Sequence, residues 1–362
     1  MSLVSSCTGI ENFNSSNMVI VMRWKGKISL INAFSCLPIL VVDNKIVSKT
    51  KGKKIKIPYY GIEDVIVSIR YKSNVRGIRE MLKKQSDNFV SVDLQSQEKN
   101  VHIKLSQTNI TIMGVTLLEH AMEVTQCLID LIQQCDENLT FLRNCLSEEV
   151  DKCLLFFEEL FKKYLELSIK NSTEFSLPNY DDFLEIIKKE TTLTEELHLK
   201  ICEILLVYAY EYKDYKSFSK KIDLISSCEK IETSKIKLTY FDISTSLYNY
   251  HLSPMNDLKS RMNGIFILKN LAFEINNLGN NNVIASHHNW KSKYCDVAIS
   301  ENIVRNDGEI IEKVHRFNIS EKGSIRQWSP DTKEFSYNIH NKIIAILKLV
   351  IQNSNNVFIP SN

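Results

Sequence analysis

Two stretches of this chain align without a gap: "TNITIMGVTLLEHAMEVTQCLIDLI" (Thr108–Ile132) and "GSIRQWSPDTKEFSYNIHNKIIAIL" (Gly323–Leu347). Each reads as a strand, a turn, a cap and a long amphipathic helix. Two units of this kind constrain the fold more than any composition does, because each strand group needs a helix to cover its apolar side. The expected class is α+β, with antiparallel strands backed by one long helix per copy. Alternation along the strand separates its faces. Ile110 and Ile112 should face the first helix, with Thr111 and Met113 turned away. In the second copy Ile325 should face the helix, with Arg326 and Trp328 turned away. Gln327 then points inward, which suggests a frayed or bulged edge.

The rest of the chain falls into three zones around these copies. From Met18 to Gln134, "MVIVMRW", "EDVIVSIRYK", "FVSVDLQ", "VHIKLS" and "NITIM" read as strands and "LINAFSCL" as a short helix. A long helix follows, with Leu117, Ala121, Val124, Leu128, Leu131 and Ile132 as its stripe. Residues 136–236 read as helices, among them "SEEVDKCLLFFEELFKKYLELSIK", "YDDFLEIIKKE" and "LTEELHLKICEILLVYAYEY". Beyond them "KLTYFDIS", "YCDVAIS", "EKVHRFNIS" and "SIRQW" return to strand. A last helix carries Phe335, Ile339, Ile343, Ile346 and Val350. The expected division is a flexible N-terminus (1–17), a first repeat (18–135) with a basic hairpin insertion (about 38–88), a helical insert (136–236), a second repeat (237–352) and a tail (353–362).

Composition adds boundaries. The 362 residues are 44% hydrophobic and 24% charged, ordinary for a globular protein, and the net charge of +2 confines any electrostatic footprint to local patches. The polar start of the chain does not read as a signal peptide, and no apolar run reaches membrane-spanning length. A soluble, intracellular protein is expected. Nine cysteines without a CxxC pair suit a reducing compartment and argue against zinc. No Walker loop, GxGxxG, GxSxG or HExxH occurs, so no enzyme, metal or cofactor is expected. "HHNW" (His287–Trp290) reads as a loop, and His120 and His340 as exposed helix residues.

The repeat pattern resembles the TATA-box-binding protein family, whose two repeats form a saddle-shaped sheet. "LSQTNITIMG" (Leu105–Gly114) has the spacing of that family's repeat-ending hairpin, and "NMVIVMRWKGKISL" (Asn17–Leu30) resembles its opening strand running into the first helix. The Asn/Lys-rich character looks most like divergent members from large DNA viruses of eukaryotes. The resemblance implies a transcription-initiation factor that binds duplex DNA, AT-rich by preference, on the open sheet face. RNA polymerase or other initiation factors would be further partners, in a cytoplasmic viral factory or the nucleus. It places Asn17 where the family keeps a base-contacting Asn, and Leu105 where the family has a groove-wedging Phe. In the second repeat the wedge position is Ser320, and Phe89 and Trp290 or Tyr294 lie near the partner positions.

Charge marks further DNA candidates. Between Lys45 and Lys84 stand twelve basic residues against three acidic ones. Lys49, Lys51, Lys53, Lys54 and Lys56, with Arg70, Lys72 and Arg76, are set to contact phosphates, although a solvated loop would have the same composition. Thr111, Met113, Arg326 and Trp328 complete the set. The competing reading is a non-enzymatic adaptor that keeps the fold and binds proteins, as the missing Phe wedges and small net charge would suit.

Overall fold

In "SSNMVIVMRWKGKI" every second residue from Met18 to Trp24 is apolar and buried, while Asn17, Arg23, Lys25 and Lys27 are exposed. That period of two is a strand buried on one side. The computed structural model describes residues 3–7, 9–39, 63–77, 87–171, 196–209, 219–220, 222–223, 228, 230–254, 264–287, 293–304, 309–354 and 356–360. The fold is α+β, with a large antiparallel sheet and, among the described residues, six α-helices.

Fourteen strands are described: β1 (Leu3–Ser5), β2 (Ser15–Ile28), β3 (Val65–Tyr71), β4 (Asn74–Gly77), β5 (Val90–Ser96), β6 (Lys99–Leu105), β7 (Asn109–Val115), β8 (Glu232–Pro254), β9 (Gly264–Phe266), β10 (Val283–Ser286), β11 (Tyr294–Val304), β12 (Ile310–Ser320), β13 (Ser324–Ser329) and β14 (Phe358–Pro360). The helices are α1 (Leu30–Cys36), α2 (Leu118–Asn144), α3 (Ser147–Asn171), α4 (Glu196–Ala209), α5 (Leu268–Asn277) and α6 (Lys333–Asn353). The main sheet runs β10-β11-β12-β13-β8-β2-β7-β6-β5-β3-β4, with β1 on β8. Two element series recur along the chain. The first is β2, α1, a strand meander ending in β7, then α2. The second is β8, the short β9, α5, a meander ending in β13, then α6.

The chain divides into two compact units. The first comprises Met1–Val21, Met113–Ala121 and Phe241–Asn362. Its core joins Tyr248, Tyr250, Val297, Ile299, Phe317 and Ile325 from the strands to Leu271 and Ile275 of α5 and to Ile339, Ile343, Ile344, Leu347 and Val350 of α6. Helix α6 starts where Thr332 accepts from the Phe335 amide, an N-cap that satisfies one orphan donor. Gly323, at φ 76°, makes the tight turn from β12 into β13. Strand β13 is not frayed or bulged: it pairs in register with β12 and β8.

Gln327 does face inward, fully buried, and is held by three bonds. It accepts from Tyr250 Oη at 3.0 Å and donates to Ser329 Oγ and the Ser336 carbonyl. An inward amide is therefore compatible with a regular strand, because every polar partner is supplied.

The second unit comprises Met22–Ile112 and Met122–Tyr240. Val90, Val92 and Leu94 of β5, Val101, Ile103 and Leu105 of β6, and Ile110 and Ile112 of β7 are all buried, as are Val124, Leu128 and Ile132 of α2. Gly26, at φ 112°, lets β2 approach β8: a Cβ there would lie 2.6 Å from the Lys235 carbonyl oxygen. Ser29 caps α1, and α3 packs on α4. Two helix expectations need correction. Leu117 is 60% exposed because it precedes the first helical residue, Leu118, and so falls outside the stripe. His120 and His340 are buried, because each apolar stripe is wider than the residues used to define it. "YDDFLEIIKKE" lies outside the described residues.

Candidate nucleic-acid interface

In the first unit α6 lies against one side of β8, β12 and β13, as the Gln327–Ser336, Tyr250–His340 and His315–Phe335 contacts show. Alternation turns the other residues of these strands to the opposite side. Register puts Trp328 between Arg316 and Leu247, and Arg326 between Asn318 and Asn249. Arg316 and Arg326 are exposed and Trp328 is half-buried. The Arg326 guanidinium lies 5.7 Å from the Tyr294 ring centroid, a cation–π contact that keeps the charge at the surface. Ile284, 65% exposed, adds apolar area on β10 beside Ala298 of β11.

Asn17 is exposed, and its Oδ1 accepts from the Gly114 amide at 3.1 Å. That bond fixes the side chain against the end of β7. Met113, one residue earlier, is half-buried.

In the second unit the side of β2, β6 and β7 turned away from the core carries Arg23, Lys25, Lys27, Thr111 and Lys104. Lys104 sits 5.2 Å from the Phe89 ring centroid. Aromatic–cation pairs thus recur: Phe89 just before β5 with Lys104 of β6, and Tyr294 opening β11 with Arg326 of β13.

Several residues expected at the interface are engaged elsewhere. Leu105 is fully buried on β6 opposite Val90, so it is core and not a wedge. Its neighbour Lys104 has the outward phase. Arg76 donates to the carbonyls of Phe34 and, at 3.0 Å, of Leu37. It closes the C-terminal end of α1, where a cation suits the helix dipole, and is unavailable to phosphate. Arg70 lies 3.5 Å from the buried carboxylate of Asp93, which is also 2.9 Å from His102 Nδ1. Its charge is absorbed by that cluster. Lys72 is exposed beside the Tyr71 ring. Lys49, Lys51, Lys53, Lys54 and Lys56 lie outside the described residues.

Sequence reasoning passed over Arg23, Lys25 and Lys27. The signal was there: the alternation of β2 continues past Trp24 through "RWKGKI" with basic residues on the outward phase. His287 bonds the Tyr294 carbonyl through Nδ1 at 3.0 Å. Among the described residues no three His, Cys, Asp or Glu side chains are grouped to hold a metal, and no helix is long and apolar enough to cross a membrane. All nine cysteines are free thiols. No protein-family model matches the chain, and no curated protein matches it in sequence.

Proposed function

We propose that this chain binds duplex DNA through sheet surface turned away from the helix-packed core, as a transcription-initiation factor of the TATA-binding type. The observation that carries the reading is the recurrence of one element series, long strand, short helix, meander, long helix, with cations and aromatics on the strand face turned from the core. Arg23, Lys25, Lys27 and Lys104 supply phosphate contacts in one unit, Arg316 and Arg326 in the other. Trp328 and Met113 supply apolar contact of the kind that minor-groove binders press against base steps. RNA polymerase or other initiation factors are the further partners this reading implies, and free thiols suit a reducing compartment.

A specific observation favours a second reading. Leu105 is core, and Arg70 and Arg76 are engaged within the fold, which leaves fewer DNA contacts than the family resemblance implies. An adaptor binding proteins on the same face would need no phosphate contacts. Binding of an AT-rich duplex across a salt series separates the two. The DNA reading expects log affinity to fall linearly with log salt. Absent or salt-insensitive binding removes it.

A further inference from the structure

On the first unit's sheet face turned away from α6, four adjacent strands align one row of hydrogen-bonding side chains. Asp296 of β11 pairs across to Asn318 of β12, Asn318 to Arg326 of β13, and Arg326 to Asn249 of β8. The pleat fixes this row outward, because Cys295, Val297, Phe317, Ile319 and Ile325 on the alternate phase are all buried. Asn318 Nδ2 donates to Asp296 Oδ1, which orients the carboxylate, and Asn249 Nδ2 donates to Ser16 Oγ at 2.9 Å. Asp296 is half-buried.

A carboxylate is unsuited to a face that reads only A·T pairs. In the minor groove A·T and T·A offer acceptors alone, A N3 and T O2, which an acidic oxygen repels; phosphates repel it too. G·C adds one donor there, the guanine N2 amino group. Arg326 offsets the negative charge from two strands away, and its guanidinium and the asparagine amides can donate to the flanking N3 and O2 atoms. We infer that Asp296 accepts a hydrogen bond from a guanine N2 amino group, so that the duplex bound by this face carries a G·C pair within an AT-rich site.

This inference rests on the DNA reading above, and the test keeps the two apart. Full-length protein is titrated, by fluorescence anisotropy at fixed salt, with an AT-rich duplex and with versions carrying one G·C pair at successive positions. At one position G·C should bind about tenfold tighter than A·T. Replacing that guanine with inosine, which lacks only the N2 amino group, should abolish the gain. Replacing adenine there with 2,6-diaminopurine, which adds the amino group, should restore it. Asp296→Ala, which removes the acceptor, should erase the preference while binding the all-A·T duplex at least as well as the native protein. Equal binding of G·C and I·C duplexes, or a preference that survives Asp296→Ala, overturns the inference and leaves the DNA reading standing. No binding to any duplex overturns both.

Discussion

Acid should destabilise the first unit by a mechanism that two residues carry. His315 and His340 are 0% and 1% exposed. Burial pushes each imidazole down from 6.5 to about 4. Around His315, Asp331 and Glu301 oppose the shift while Lys313 and Lys342 add to it. Around His340, a hydrogen bond with the Cys7 backbone opposes it. A group whose folded pKa is depressed stabilises the fold above its unfolded pKa and loses that contribution as pH falls. The window therefore runs from about 6.5 down to about 4. At pH 5 the unfolded imidazole is protonated about thirtyfold over its neutral form, while only about a tenth of the folded one is, which costs about 2 kcal/mol per histidine. The pair would remove about 4 kcal/mol from a typical total of about 5–15. Urea unfolding at pH 7.5 and pH 5.0 measures the loss, and the double variant His315→Gln, His340→Gln supplies the control, since glutamine does not titrate. The variant's pH-dependent loss should be smaller than the native protein's by about 4 kcal/mol. Equal losses would refute the assignment.

Other consequences can be checked in parallel. Converting Arg23, Lys25 and Lys27 to Ala should flatten the salt slope of duplex binding by about 0.9 for each phosphate left without its cation, measured by anisotropy. Arg76→Ala should leave that slope unchanged. Gln327→Leu leaves the buried Tyr250 hydroxyl without its acceptor. It should cost about 1–3 kcal/mol in urea unfolding, and no measurable loss would deny the network its role. The β5–β6 turn holds Gln97 and Glu98 at φ 48° and 56°. Glu98→Gly should raise stability by about 0.5–1 kcal/mol, read from the denaturation midpoint.

Much of the fold was legible in periodicity. In the two aligned stretches strand and helix start at matching positions, Asn109 with Ser324 and Leu118 with Lys333. Helix α5 and strand β10 escaped notice because a ten-residue helix and a four-residue strand give too few periods to register. The outward faces of Thr111, Arg326 and Trp328 followed from alternation alone. The fates of Arg70 and Arg76 did not, because they depend on Asp93 and on the end of α1, residues distant in sequence. Composition counted these arginines as phosphate contacts; packing decides otherwise, since a cation near a buried carboxylate or a helix end is held there by charge.

Leu105 shows where a family resemblance and strand physics part. Counting back from Gly114 along "LSQTNITIMG" lands on Leu105, but a motif count does not know on which side of the sheet a residue falls. Period two does: Val101, Ile103 and Leu105 share one phase and are all buried, so Lys104 must have the other. The β5–β6 register then sets Lys104 across from Ser91, two residues along from Phe89, and the lysine's amine reaches the Phe89 ring. The aromatic at this end of the sheet is therefore Phe89, backed by a cation, and the wedge question moves to it. Leu105→Ala should cost about 2–5 kcal/mol in stability, as a core truncation does, and leave duplex affinity of the folded fraction unchanged. Phe89→Ala should weaken duplex binding by more than any change it makes in stability. If the two variants exchange these outcomes in anisotropy and urea unfolding, the register drawn for β5 and β6 is wrong by one residue.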